Sequence, residues 1–323
     1  MKKCFYTYEE QIEKMISDGL IVSDRETVLS SLENIGYYKL IGGYKGLFLT
    51  WSVKERKKKF KEGIKFEDVK AIYDFDFELR NIIYKRVSAI ETKIKSLVSY
   101  EFSEKHGIDH RVYLQKECFS AKQKNVEGIN RLIDECNDVI LKASNRDSGA
   151  YRAYIAQAYE KYEQVPVWAL FMALTFGSVS KFYQFMNEDE KDAIASSFKV
   201  NGVELENILK IVVKFRNIVF HHERLFDAGL FKERLSPKLK VVKSLSIPKT
   251  DSGENKYGMN DFLALLIALK YLLAPVEFAS LITEIDIAFD VLSKRTNKEC
   301  VDAVKSKMRI AKINLKTLIK IKV

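Results

Sequence analysis

Hydrophobic residues recur at helical spacing through most of the chain. The clearest case lies between Gly63 and Gly107, where 43 residues contain neither Gly nor Pro. Apolar residues follow one another there at steps of four, four, three, four and three: Leu79, Ile83, Val87, Ile90, Ile94 and Leu97. Such steps keep side chains on one face of an α-helix. The pattern therefore predicts one long helix with a buried stripe.

Shorter segments on both sides also show helical patterns. Thr7 precedes an amphipathic run and Glu10 follows it by three residues, which is the spacing of a capping box. Residues 165–186 are apolar almost all round up to Gly177, which is typical of a helix in the middle of a core. Residues 111–142 predict a further helical pair. After Gly229, two prolines mark an irregular connection, and helices are expected from residue 260 to the end.

The composition supports a helical protein. Gly (14) and Pro (4) together make 18 of 323 residues, about half of what average usage would supply, so turns are few and elements are long. We therefore predict an all-α fold. Four parts are expected along the chain: an N-terminal helical subdomain (1–62), a helical core (63–228), an irregular connection (229–258) and C-terminal helices with a basic tail (259–323).

The chain is basic, and its charge is unevenly distributed. The formal net charge is +10, and residues 294–323 hold ten basic side chains against two acidic ones. We predict that two sets of cations contact RNA. The first set forms one stripe on a single C-terminal helix: Lys305, Arg309, Lys312, Lys316 and Lys320. The second set lies in a loop, within the cluster from Lys54 to Lys61: Lys57, Lys58 and Lys59. The alternative is a solvated surface whose lysines serve solubility.

Other features exclude several classes of protein. The four cysteines show no C-x-x-C pairing and no secretory signal precedes them, which favours a reducing cytoplasm. The most apolar stretch, residues 262–282, contains Lys270, Pro275 and Glu277, so it predicts a core helix and no membrane segment. His106 and His110 have the spacing of a metal pair but lack further ligands. We expect no metal and no cofactor.

An unusual cluster follows the apolar run around Phe215. Arg216, Asn217, His221 and His222 lie within seven residues, and the chain has only four histidines. On a helix Asn217 and His221 share a face, whereas Arg216 and His221 point about 140° apart unless the helix ends. Imidazole as general acid or base with Arg on the phosphate would cleave RNA through its own 2′-hydroxyl, without a metal. The other interpretation is that Arg216 pairs with a carboxylate and the histidines are structural or solvated.

The cluster also resembles a known motif. RNIVFHHERLFD, residues 216–227, resembles the Arg-x4-6-His signature of HEPN ribonucleases as it occurs in the AbiD/AbiF-like abortive infection family. Three further stretches agree with that family in order and spacing: EEQIEKMISDGLIVSD with NIGYYKLIGGY, YDFDFELRNIIYKRVSAIETKIKSLVSYEFSEKHG, and PVWALFMALTFGSVSKFYQFM. The resemblance spans roughly residues 8–230.

This resemblance implies a HEPN-like helical bundle with an N-terminal helical extension. The basic C-terminal helix lies outside the resemblance and is expected from the charge and helical spacing of residues 294–323. The resemblance implies that Arg216 and His221 form the catalytic pair, that Asn217 orients the site or contacts phosphate, and that His222 participates. Glu91 is expected to be an ion-pair partner for Arg216. Since one chain carries one motif, a homodimer is expected unless RNA is bound.

The implied function is a metal-independent endoribonuclease toxin of prokaryotic antiviral defence. One alternative is a nuclease-silent RNA-binding protein in complex with a structured noncoding RNA. Another is a protein whose motif is modified by a nucleotidyl-transferring partner.

Overall fold

The protein is helical, with one small sheet among the residues that the structure describes. The structure is a computed structural model that describes residues 4–53, 56–120, 122 and 125–323. The elements are α1 (Tyr8–Ser17), α2 (Arg25–Ile35), β1 (Leu49–Ser52), β2 (Lys57–Phe60), α3 (Phe66–His106), α4 (His110–Tyr113), α5 (Val126–Ser144), α6 (Ala153–Tyr162), α7 (Val167–Ala173), α8 (Phe176–Phe185), α9 (Glu188–Ser196), α10 (Gly202–Phe220), α11 (Lys240–Ser244), α12 (Phe262–Leu272), α13 (Pro275–Arg295), α14 (Lys298–Lys307) and α15 (Leu315–Lys320). The predicted all-α class is confirmed.

Helix α3 confirms the long helix predicted from the apolar spacing. It runs for 41 residues, with acidic side chains in its first turn and basic ones in its last, an order that complements the helix dipole. It stops before Gly107, which has a positive φ of 78°. The predicted stripe is buried as far as Ile94, but Val98 and Phe102 continue it in place of the half-buried Leu97.

The N-terminal region begins as predicted and then differs. The capping box of α1 is present, because the Thr7 amide donates to Glu10 Oε2 at 2.7 Å and the Glu10 amide donates to Thr7 Oγ1 at 3.3 Å. The lysine run expected to be a loop is instead strand β2, which pairs antiparallel with β1 and places Trp51 opposite Lys58. Lys54 lies outside the described residues.

Two compact units divide the described chain, and neither is one continuous stretch. The first comprises Met1–Ile83, Ile218–Ala228 and Ala279–Ile319. Within it, the first half of α3 packs against α13. The rings of Phe75 and Phe289 lie 4.8 Å apart, and Arg295 Nη1 lies 2.8 Å from Asp74 Oδ2.

The second unit comprises Tyr84–Asn217, Gly229–Phe278 and Lys320–Val323. The ring of Phe182, in α8, packs against three other buried rings of this unit: Phe102, Phe119 and Phe171. Every residue of α12 is buried, so the apolar stretch is a core helix as predicted. Among the described residues, the helices include none that is both long and apolar enough to cross a bilayer.

Residues 111–142 hold the predicted pair of helices, the short α4 and the longer α5, with a 3-10 turn at Lys116–Cys118 between them. The prediction of one continuous C-terminal helix is wrong. The C-terminal helix is interrupted, because α14 ends at Lys307 and Arg309 adopts a positive φ of 63° before α15 begins. A left-handed residue cannot continue a right-handed helix. The basic residues from Lys305 to Lys320 therefore do not form one helical stripe.

Candidate functional site

The cluster formed by Arg216, Asn217, His221 and His222 lies where α10 ends. Buried Ile208, Ile211, Val212 and Phe215 fix the inner face of this helix. Asn217 belongs to its last turn, Arg216 directly precedes that turn, and His221 and His222 follow its final residue, Phe220. Asn217 and both histidines are exposed, whereas Arg216 is half-buried.

The backbone of the two histidines is held in a left-handed helix termination. His222 has a positive φ of 54°, a conformation in which His is enriched among non-glycine residues. Its amide donates to the Val219 carbonyl at 3.1 Å, and the Glu223 amide donates to the Ile218 carbonyl at 2.9 Å. These bonds satisfy carbonyls that the end of a helix would otherwise leave unpaired. His221 thus stands beyond the helix, so the 140° separation expected on a continuous helix does not constrain it.

Arg216 is held by an acidic residue of α3. Its Nε lies 3.1 Å from Glu91 Oε2, and the other Glu91 oxygen lies 3.0 Å from Lys95 Nζ. Lys95 Nζ also donates to the Leu174 carbonyl at 2.8 Å. The side chains of Glu91, Lys95 and Arg216 are 13%, 19% and 21% exposed. Solvent and salt therefore screen the attraction between these charges less than they screen a fully exposed surface ion pair. The predicted role of Glu91 as an ion-pair partner of Arg216 is confirmed.

The four histidines fall into two groups. His106 Nε2 lies 2.6 Å from Glu190 Oε1. His110 Nδ1 accepts the Val165 amide at 3.2 Å, and burial lowers the pKa of His110. The His221 and His222 side chains make no hydrogen bond to protein within the described part of the chain and face solvent. Two imidazoles are therefore structural, and two are accessible for chemistry.

The two histidines with the spacing of a metal pair are engaged by protein groups. His106 and His110 are occupied by the bonds just described, and the described residues contain no group of three side chains placed to hold a metal ion.

The two sets of predicted RNA-contacting cations occupy different elements. Lys57, Lys58 and Lys59 lie on β2, and Lys57 Nζ is 3.2 Å from Asp18 Oδ1. In the C-terminal set, Lys305 Nζ lies 5.0 Å from the centre of the Phe289 ring, and Lys316 Nζ lies 4.0 Å from Asp286. Arg309, Lys312 and Lys320 are exposed.

Sequence reasoning missed a buried polar network next to the double-histidine turn, which is formed by His221 and His222. Asp76 and Arg80, one turn apart on α3, form an ion pair with 0% and 3% of their side chains exposed. The Asp76 carboxylate accepts the backbone amides of Leu225 and Phe226. An Asp and an Arg four residues apart on the apolar face of the predicted helix were the available signal, because charges are rarely buried unless they are paired.

A family model confirms the group to which this architecture belongs. The model described as Abi-like protein matches residues 30–227, which include α3, α10, the Arg216–Glu91 pair and the double-histidine turn. The chain belongs to this abortive infection family. No curated protein and no solved structure matches it. Membership supports an antiviral role in abortive infection.

Proposed function

We propose that this protein is a metal-independent endoribonuclease toxin that acts in abortive infection. The observation that carries the proposal is the pair of exposed imidazoles that follow Arg216 at the end of α10. Protein groups engage the other two histidines, and Glu91 orients the Arg216 guanidinium. An accessible acid-base group and a held cation are the two requirements of phosphate-ester cleavage by an internal nucleophile.

Attack by the 2′-oxygen and departure of the 5′-oxygen each require one proton transfer. An imidazole removes the proton of an RNA 2′-hydroxyl, and the 2′-oxygen forms a bond to the adjacent phosphorus. The bond from phosphorus to the 5′-oxygen breaks, and a protonated imidazole returns a proton to that leaving oxygen. Arg216 stabilises the negative charge that develops on the phosphate. The products are a 2′,3′-cyclic phosphate and a 5′-hydroxyl. In this reaction His221 is the principal acid-base group, and Asn217 contacts the phosphate.

Cleavage is expected to persist in excess EDTA because no step needs a divalent ion. The measurement is incubation of purified protein with end-labelled RNA, followed by identification of the 3′ ends. Cyclic phosphate in chelator supports the proposal. Strict dependence on magnesium contradicts it, and binding of RNA without any cleavage would favour the nuclease-silent RNA-binding protein.

We further propose that the active form contains two copies of the chain, since each contributes one Arg216-to-His222 segment. Composite sites of this kind lose function when one copy is inactive. A wild-type chain paired with an Arg216→Ala, His221→Ala chain, purified through two different tags, is expected to show well under half of the wild-type activity. Retention of half or more would contradict a shared site.

The C-terminal cations are proposed to bind RNA phosphates without sequence preference. Five contacts to single-stranded RNA would give a slope of roughly minus 3.5 in log affinity against log salt. Replacing Lys312, Lys316 and Lys320 by Gln is expected to reduce that slope by about two units, because Gln removes each charge and keeps the helix propensity at Lys316 and Lys320 in α15. Filter binding across a salt series measures it.

A matched triple variant separates local contacts from net charge. Lys14, Lys142 and Lys161 are also exposed and lie on α1, α5 and α6. Their replacement by Gln lowers the net charge equally and is expected to leave the slope near the wild-type value. Equal slopes in the two triple variants would assign RNA binding elsewhere.

A further inference from the structure

The segment that follows the double histidine is tied to α3 by one buried carboxylate. Asp76 Oδ1 accepts the Phe226 amide at 2.7 Å and the Leu225 amide at 3.1 Å. Asp76 Oδ2 lies 3.2 Å from the Leu225 amide and accepts the Tyr44 hydroxyl at 2.6 Å. The Asp76 side chain is 0% exposed. Both of its oxygens are therefore used inside the protein.

Arg80 and Tyr44 hold this carboxylate and extend the network. Arg80 Nη1 forms the ion pair with Asp76 and lies 3.4 Å from the carbonyl oxygen of Glu223, the residue directly after His222. Burial and the neighbouring Asp76 charge raise the pKa of Tyr44, so its hydroxyl stays protonated and donates. A buried carboxylate is tolerated only when such partners compensate its lost hydration.

The double-histidine turn is thereby fixed at both ends. On one side, the Glu223 amide bonds back to Ile218 in the last turn of α10. On the other, the network contacts the backbone of Glu223, Leu225 and Phe226. Between these anchors His222 keeps its left-handed backbone, a conformation that persists only when the surrounding structure enforces it.

We propose that Asp76 is the positioning residue of the double-histidine turn, with Arg80 and Tyr44 holding it in place. Asp76 fixes the backbone from which the imidazoles project, while the imidazoles themselves stay exposed for substrate. Side chains that perform chemistry need a backbone held by such a supporting shell. The catalytic consequence rests on the proposed nuclease function, whereas the structural consequence does not.

The test compares Asp76→Asn with Asp74→Asn. Asp74 lies half a turn away on α3 and bonds to Lys70 and Arg295, so its replacement removes the same charge without touching the turn. In Asp76→Asn, hydrogen exchange of the Leu225 and Phe226 amides is expected to accelerate about tenfold. The imidazole NMR signals of His221 and His222 are expected to shift. Asp74→Asn is expected to leave both readouts as in the wild type.

A kinetic measurement separates positioning from general destabilisation. With RNA, the single-turnover cleavage rate of Asp76→Asn is expected to fall about tenfold while the Kd for RNA stays unchanged. If the wild type does not cleave RNA, the proposed nuclease function fails, but amide exchange and imidazole signals still decide the role of Asp76. Unchanged exchange at Leu225 and Phe226, or exchange raised equally across the chain, would overturn the inference.

A milder variant covers the case in which Asp76→Asn does not fold. Tyr44→Phe removes one hydroxyl donor to Asp76 and keeps the ring, which stacks 6.0 Å from Phe226. We expect the same changes in the same direction, with exchange about threefold faster. Wild-type exchange and imidazole signals in a folded Tyr44→Phe protein would contradict the proposal.

Discussion

His221→Ala is expected to lower the rate of RNA cleavage by at least about 10²-fold, the lower end of what a positioned acid or base contributes. The side chain is exposed and follows the end of α10, so its removal takes away the acid-base group and leaves the fold intact. Single-turnover cleavage of labelled RNA measures the effect. Arg216→Ala is expected to have an effect of similar size, because the charge on the phosphate then loses its cation.

Two control variants sharpen this result. Arg131→Ala removes an exposed cation that pairs with Glu127 on the same helix, and it is expected to cleave RNA at the wild-type rate. Arg216→Lys keeps the charge but loses the planar fork, so it should recover part of the activity lost in Arg216→Ala. Full activity in His221→Ala would move the acid-base role to His222 or away from this cluster.

Phe182→Ala is expected to lower the free energy of unfolding by about 3–5 kcal/mol. The ring is fully buried, and its centre lies 4.7 Å from that of Phe102, 4.9 Å from Phe171 and 5.2 Å from Phe119. Truncation removes the ring shared by all three contacts and leaves a cavity that the surrounding helices fill only in part. Urea denaturation followed by circular dichroism provides the measurement.

Tyr100→Ala is the matched comparison for Phe182→Ala. Tyr100 is also an aromatic residue on a helix of the second unit, but it is 63% exposed. Its replacement is expected to change the free energy of unfolding by no more than about 0.5 kcal/mol. Similar losses in the two variants would show that the aromatic cluster around Phe182 is not the centre of this core.

Apolar spacing predicted the helices whose burial is one-sided. The steps from Leu79 to Ile94 identify the buried face of α3, because a long helix must place its apolar side chains against the core. The departure at Leu97 follows from the helix period of 3.6 residues. Steps of four from Ile94 lead to the buried Val98 and Phe102.

Features that depend on backbone pairing or on a single residue were not predictable from spacing. Strand β2 carries three consecutive lysines and pairs with β1 through backbone hydrogen bonds. Because these bonds do not depend on side-chain type, the strand shows no alternation of apolar and polar residues in the sequence. Arg309 ends the preceding helical segment by its left-handed backbone, although nothing in its residue type requires that conformation. Local propensity is a weak guide where tertiary context decides the backbone.

For the candidate site, the sequence predicted the chemical groups but not the residues that hold them in place. It predicted the Arg216–Glu91 pair from the resemblance, and the structure confirms it. It did not predict Asp76, because the bonds to Leu225 and Phe226 join residues about 150 positions apart. Contacts of such long range leave no periodic signal in one sequence.

We propose that Arg216 and His221 cleave RNA without a metal. The most direct measurement is single-turnover cleavage in excess EDTA by the wild type and by His221→Ala, with the 3′ ends of the products identified. We expect 2′,3′-cyclic phosphate ends from the wild type and a rate at least about 10²-fold lower from the variant. Equal rates for the two proteins, or cleavage that appears only with magnesium, would contradict it.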